Sequence, residues 1–323
     1  MKPLLNAERF NEALPVAIQI KAIDPSNVIA LNNKGVALKN LERYEEAIEY
    51  YDRVLAIDPN YVDALSNKGV SLQNLERYEE AIEYYDRVLA IDPNYVGALS
   101  NKGVALKNLE RDEESIEHYD RALAIDPNHV TALNNKGSAL ESLERYNEAI
   151  EYFDRALAID PSYVAAINNR ANALTGLAES SQEEPISYSN NDKIFPSKDT
   201  SHYFFFVSTE PATGANTKLE LYQEALVTYD RALKIDPNDT DVLTNKGKVL
   251  YILEKYQECM PILDHVLEID PNHVGGLYYK GKVLEKTGKI EEASTYTNKA
   301  LEIDPSYAGE SINIETNALQ SAI

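Results

Sequence analysis

Asn33, Asn67, Asn101, Asn135 and Asn169 follow one another at intervals of 34 residues, and the series returns at Asn245. A side-chain amide carries both a donor and an acceptor. A column of amides at fixed spacing can therefore hold the main chain of an extended peptide without reading its side chains. Tyr279 stands where the series would next fall. Around it Lys248, Tyr251, Tyr278, Lys282 and Lys286 form a basic, aromatic group in a chain of net charge −22. Lysines of this kind could hold a carboxylate through charge-assisted hydrogen bonds. These asparagines, lysines and tyrosines are the candidate peptide-binding residues.

Reactive constellations do not accompany them. His118, His129, His202, His265 and His273 share no ligand spacing with Cys259 or with each other. No glycine-rich phosphate loop and no nucleophile elbow occurs. The carboxylates recur with the helix surface, as solvated faces do. The expectation is no enzyme, no catalytic residue, no metal and no cofactor.

What positions the asparagines is a repeat. Pro25, Pro59, Pro93, Pro127 and Pro161 are spaced by 34 residues, and the spacing resumes at Pro237, Pro271 and Pro305. A fixed period of this length signals a stacked helical array. We number positions 1–34 within a repeat, with Val62 as 1 and Tyr95 as 34. Apolar or small residues fall at 4, 8 and 11 (Leu65, Gly69, Leu72). A second stripe falls at 17, 20, 21, 24, 27 and 28 (Tyr78, Ala81, Ile82, Tyr85, Val88, Leu89). Both stripes have helical spacing, so each unit is two amphipathic helices joined by a tight turn. Glycine recurs at position 8 although it costs about 1 kcal/mol against alanine in a helix, so close packing must require it. The second helix should end before proline, with Asn60, Asn94 or Asn128 capping the helix that follows.

These residues resemble the tetratricopeptide repeat. Leu31, Gly35 and Leu38, then Ala47 and Tyr51, then Pro59 follow that family's pattern, which recurs over nearly the whole chain. Leucine replaces the usual tryptophan at position 4. A basic residue replaces leucine at position 7, as Lys34, Lys68, Lys102, Lys136, Arg170, Lys246 and Lys280. The long stems can cover apolar surface while their heads reach carboxylates, with Glu45 and Glu46 as candidates. The resemblance implies an all-α, right-handed superhelical solenoid of antiparallel helix pairs. It also implies a concave groove lined by positions 2, 5, 6, 9, 12 and 13 of the first helices. The asparagine column at position 6 looks like that in the repeat segment of O-linked N-acetylglucosamine transferases, whose catalytic domain has no counterpart here. The carboxylate clamp found in some members is not matched, because position 5 is Asn or Ser in the first five repeats.

The domain reading follows the register. Residues 1–27 form a half-repeat in which Phe10, Ala13, Ala17 and Ile20 fall on second-helix positions. Four repeats follow at 28–61, 62–95, 96–129 and 130–163. Asp112 stands where the others have Tyr44, Tyr78 and Tyr146, and local loosening is expected there. Repeat five spans 164–239 and carries a 42-residue insertion at about 178–219, because Pro161 and Pro237 are 76 residues apart. Pro185, Pro196, Pro211 and many Ser, Asn and Thr give the insertion the composition of a loop, and it holds one aromatic run, Tyr203–Val207. Repeats six and seven occupy 240–273 and 274–307, and 308–323 forms a cap. Some sixteen helices are expected in one continuous array. Pro15 and Pro261 both fall at position 22, which should therefore face outward.

Composition limits the partners. With 53 acidic against 31 basic residues, the chain lacks the basic face that nucleic acid or an anionic membrane requires. Cys259 has no second cysteine to pair with. Glu8, Arg9, Asn11 and Glu12 break any signal-peptide core, and no run reaches the roughly 18 apolar residues of a membrane span. A cytoplasmic, non-catalytic scaffold binding an extended peptide or partner protein is the favoured reading. Two others stay open: a module that self-associates through its end helices, and the targeting arm of a separately encoded enzyme.

Overall fold

In a computed structural model the described residues are 27–181 and 217–307. The expectations placed on 1–26, on most of the insertion with its aromatic run, and on 308–323 lie outside them. The chain divides into two compact units, Met1–Tyr163 and Val164–Ile323, a division that the even period did not announce. All regular structure among the described residues is α-helical.

Unit 1 holds α1 (Val28–Asn40), α2 (Tyr44–Ile57), α3 (Val62–Asn74), α4 (Tyr78–Ile91), α5 (Val96–Asn108), α6 (Asp112–Ile125), α7 (Val130–Ser142) and α8 (Tyr146–Ile159). Unit 2 holds α9 (Val164–Ser180), α10 (Lys218–Ile235), α11 (Thr240–Ile252), α12 (Tyr256–Ile269), α13 (Val274–Lys286) and α14 (Ile290–Ile303). Odd-numbered helices are the first, and even-numbered the second, of each hairpin. Within each unit every helix packs against its sequence neighbour, and successive first helices also touch. Successive second helices make no comparable contact. The row of first helices is therefore the inner side of each unit's curve.

Glycine at position 8 permits the hairpin to close. A Cβ on Gly69 would lie 2.6 Å from Tyr85 Cε1, and one on Gly35 would lie 2.5 Å from Tyr51 Cε1. Both tyrosines are fully buried, so neither ring can yield. The opposite small position is equally tight: Ala47, Ala81 and Cys259 have no exposed surface. The Cys259 thiol donates to Gly247 O at 3.2 Å, and burial pushes it up to about 12. Pro261 lies inside α12 and is exposed, so the backbone bond it removes is on the solvent side.

Two turns join these helices. Inside the hairpin the chain reverses through Leu41, Glu42 and Arg43. Glu42 adopts φ 60°, and the Arg43 N–H returns to Leu38 O at 3.0 Å. Between hairpins Asp58 stops α2 in an extended conformation ahead of Pro59. The Asp58 carboxylate accepts the Asn60 N–H at 3.0 Å. Asn60 is thus held by the turn and does not cap α3, whose N-cap is Tyr61, without a side-chain bond. Caps by side chain occur at Asn27, His129, Asp239 and His273, one residue later in the repeat than expected.

The basic column does not pair with Glu45 or Glu46. Lys68, Lys102 and Lys136 bond Asp52, Asp86 and Asp120, each in the preceding hairpin. In unit 2 Lys246 reaches Asp230 at 2.5 Å and Lys280 reaches Asp264 at 2.7 Å. Lys34, Lys68, Lys136 and Lys280 also sit 4.2–4.4 Å from the ring centroids of Tyr50, Tyr84, Tyr152 and Tyr296 in their own hairpins. Each lysine of this kind rests on its own hairpin, and most also tie it to the one before. Glu46 is taken instead by Arg43, in a two-pronged contact of 2.6 Å.

Repeat five closes across its insertion. Arg170 meets Glu224 at 2.7 Å, and Tyr229 Oη donates to Asn172 Oδ1 at 2.7 Å. The ends of the insertion lengthen the helices. α9 has 17 residues and α10 has 18, against 13 and 14 in their siblings. Thr217 and Glu220 form a capping box at the start of α10, which fixes where the second helix begins.

Candidate inner-face binding site

Position 6 of the first helices points along the inner row. Lys39 Nζ on α1 donates to Asn67 Oδ1 on α3 at 2.7 Å, which places positions 12 and 6 of adjacent helices on one face. Asn135 Oδ1 accepts from Asn134 Nδ2 at 3.2 Å. The side chains of Asn33, exposed, and Asn101, half-buried, make no hydrogen bond among the described residues. The amide nitrogen of Asn67 keeps its donors while Lys39 uses its oxygen. Asn169 and Asn245 belong to unit 2, where Asn245 Nδ2 donates to Asn168 Oδ1 at 3.4 Å. The six asparagines are thus four on one unit and two on the other. Asn74 and Asn108 at position 13 turn back to Val70 O and Val104 O at 2.8 and 2.9 Å, so they offer less to a ligand.

The expected basic, aromatic patch is largely spent on the protein itself. Tyr278 is 1% exposed, Tyr279 4% and Tyr251 6%. Their rings interlock: Tyr278 stands edge-on to Tyr279 and to Tyr307 at 5.2 Å, and Tyr251 lies 6.0 Å from Tyr279. Burial pushes the Tyr251 hydroxyl up to about 12. Tyr251 and Tyr278 are therefore core residues of unit 2 and not free platforms. The reason is size. Positions that are polar or charged in the other repeats hold large rings here, and rings of that area pack together to leave water. Lys248 pairs with Glu179 at 3.2 Å and Lys282 with Glu285 at 3.5 Å. Only Lys286 of the three lysines remains exposed and without an ion pair among the described residues.

Position 12 carries the chemistry that no column announced. Its residues in unit 1 are Lys39, Gln73, Lys107 and Glu141, so no repeated type marks it. The signal is charge on an otherwise mild face. Burial lowers the Lys39 ammonium from its ordinary value. Burial pushes the Glu141 carboxyl up to about 7, against the pull of Lys107. Beneath this position lie the tyrosines of position 24. The Tyr85 hydroxyl donates to Gln73 Oε1 at 3.1 Å, whereas the buried Tyr51 and Tyr119 hydroxyls have no partner among the described residues.

Among the described residues no group of three potential ligands could hold a metal ion, and no helix is long and apolar enough to cross a membrane. The sequence matches tetratricopeptide repeat profiles at residues 28–61, 62–95 and 95–162. It matches the profile of anaphase-promoting complex, cyclosome, subunit 3 at residues 218–300. No curated protein matches. Among solved structures the fold is similar to the APC/C hetero-tetramer Cut9–Hcn1, with 16% identity and a TM-score of 0.64. That match covers 85% of this chain and 46% of the other, so this chain spans less than half its length. A tetratricopeptide repeat protein from Parabacteroides merdae ATCC 43184 matches with 16% identity and a TM-score of 0.62, over 86% of this chain and 93% of that one. Pseudomonas aeruginosa PilF matches with 17% identity and a TM-score of 0.55, over 76% and 92%. At such identities the likeness is one of fold. Tetratricopeptide repeat profiles along unit 1, a 34-residue register that resumes in unit 2 and the shared helical-hairpin fold agree: the chain belongs to the tetratricopeptide repeat family.

Proposed function

We propose that this protein is a non-catalytic scaffold that docks a partner protein through an extended segment laid along the inner row of first helices. The observation that carries the reading is the position-6 column of unit 1. Asn33 and Asn101 have unspent amides, and Asn67 keeps free donors beside an acceptor already in use. Extended main chain offers the complementary donors and acceptors, so such a column binds shape and backbone before sequence. That a similar fold occurs in a hetero-tetrameric assembly is consistent with a role in holding proteins together.

Cross-linking mass spectrometry in cell extract would name the partner and locate its contact. The triple substitution Asn67→Ala, Asn101→Ala and Asn135→Ala should then weaken the purified complex by about tenfold or more, the loss of a few hydrogen bonds of about 1 kcal/mol each. Unchanged affinity in a variant with unaltered helicity would remove the asparagine column from the docking surface.

A further inference from the structure

At positions 2, 5, 6, 9, 12 and 13 of α1, α3, α5 and α7 only Lys39, Asp63, Lys107 and Glu141 carry charge. Asp63 sits in the first turn of α3, at the far end of its helix. Lys39 is bonded to Asn67. Lys107 on α5 and Glu141 on α7 remain, half-buried, opposite in sign and on adjacent first helices. Neither enters an ion pair among the described residues, although Glu141 and Asp112 both feel the field of Lys107. Half-buried charges without a partner are costly, and elsewhere in this unit lysines are matched to carboxylates hairpin by hairpin. A second observation falls in the same place. The Tyr119 hydroxyl in the hairpin of Lys107 is buried and lacks the acceptor that Gln73 gives Tyr85 one repeat earlier. A carboxylate drawn to Lys107 would bring an acceptor to that spot.

We infer that the segment docked on unit 1 carries an acidic side chain against Lys107 and a basic side chain against Glu141, about three residues apart. The spacing comes from geometry: packed helices lie about 8–10 Å apart, and an extended chain advances about 3.3 Å per residue. The inference rests on the inner-face docking proposed above and adds the chemistry of the docked segment. A uniformly acidic or uniformly basic segment would satisfy one group and repel the other.

The test uses the full chain as bait for phage-displayed random 12-residue peptides, followed by fluorescence anisotropy of synthetic copies. The expected result is enrichment of one acidic and one basic residue at a separation of about three, in one fixed order. Lys107→Glu or Glu141→Lys alone should lower the affinity of these peptides by about tenfold or more. The double reversal should select the opposite order. Helicity by circular dichroism controls for folding. Peptides that depend on Asn67, Asn101 and Asn135 but show no charge pair, or that ignore both reversals, overturn this inference and leave the docking reading standing. A selection in which no peptide depends on either set of residues overturns both.

Discussion

Glu141 is held in the folded unit with its carboxyl at about 7, raised by burial from an ordinary value of 4.5. The folded state therefore holds this proton more tightly than the unfolded chain does. The sign follows: the contribution is complete below about 4.5, is lost as pH rises, and has gone above about 7. Its full size is on the order of 3 kcal/mol. Relative to Glu141→Gln, the wild-type protein should lose stability between pH 5 and pH 8. Thermal unfolding midpoints of both proteins across that range measure it, and parallel curves would show that Glu141 is solvated. Gly69 offers a steric counterpart. Gly69→Ala should destabilise by about 1–3 kcal/mol despite better helix propensity, because the new methyl meets a ring that cannot move. Tyr85→Leu in the same chain should recover part of that loss in urea titrations. These glycines were legible in the sequence, since a helix-breaking residue kept at one register position needs a packing reason. The burial of Tyr251 and Tyr278 was not. Positions 5 and 12 are polar or charged in the early repeats, and nothing in a linear pattern says that rings placed there will turn toward one another.

At the scale of the element, the recurring hairpin turn stores strain in plain view. Glu42, Glu76, Glu110, Glu144 and Glu254 all adopt φ between 56 and 60°, a left-handed conformation that costs a residue with a Cβ about 1–2 kcal/mol. The seventh hairpin solves the same turn with Gly288 at φ 84°. Glu76→Gly should therefore stabilise, by about 0.5–1 kcal/mol after allowing for the added freedom of the unfolded chain. The urea midpoint is the measurement, and a fall would mean that the glutamate makes a contact outweighing its backbone strain. The two-helix hairpin was readable from the stripes at positions 4, 8 and 11 and at 17 to 28. The partner of the position-7 lysine was not. The aspartate it finds lies 16 residues back, across the turn between hairpins, and only the stacking of one hairpin on the last brings the two together. The cap at position 34 was missed for a related reason. The aspartate at position 31 captures the N–H of position 33, as Asp58 does with Asn60, which holds the asparagine in the turn.

At the scale of the molecule, each unit is a chain of nearest-neighbour interfaces, so one weak hairpin limits its neighbours. The third hairpin of unit 1 is that link. Asp112 replaces tyrosine, yet α6 begins in the same register as its siblings and Arg111 still grips Glu114 at 2.6 Å. The backbone is not loosened as expected; the cost appears in the side chains. Asp112 Oδ1, His118 Nδ1, Tyr119 Oη and Ser100 Oγ are all buried without hydrogen-bond partners among the described residues. Burial raises the Asp112 carboxyl and pushes His118 down to about 4. Asp112→Tyr restores the ring found at Tyr44, Tyr78 and Tyr146 and removes a buried unpaired oxygen, which should add about 1–2 kcal/mol. If the interfaces transmit stability as a nearest-neighbour array does, the gain will not stay in α6. Native-state hydrogen exchange should show slower exchange in α3 and α4 before it and in α7 and α8 after it, with the effect fading by α1. Added protection confined to α5 and α6 would mean that the hairpins open independently, and that the lysine–aspartate ties between them carry little of the unit's cooperativity.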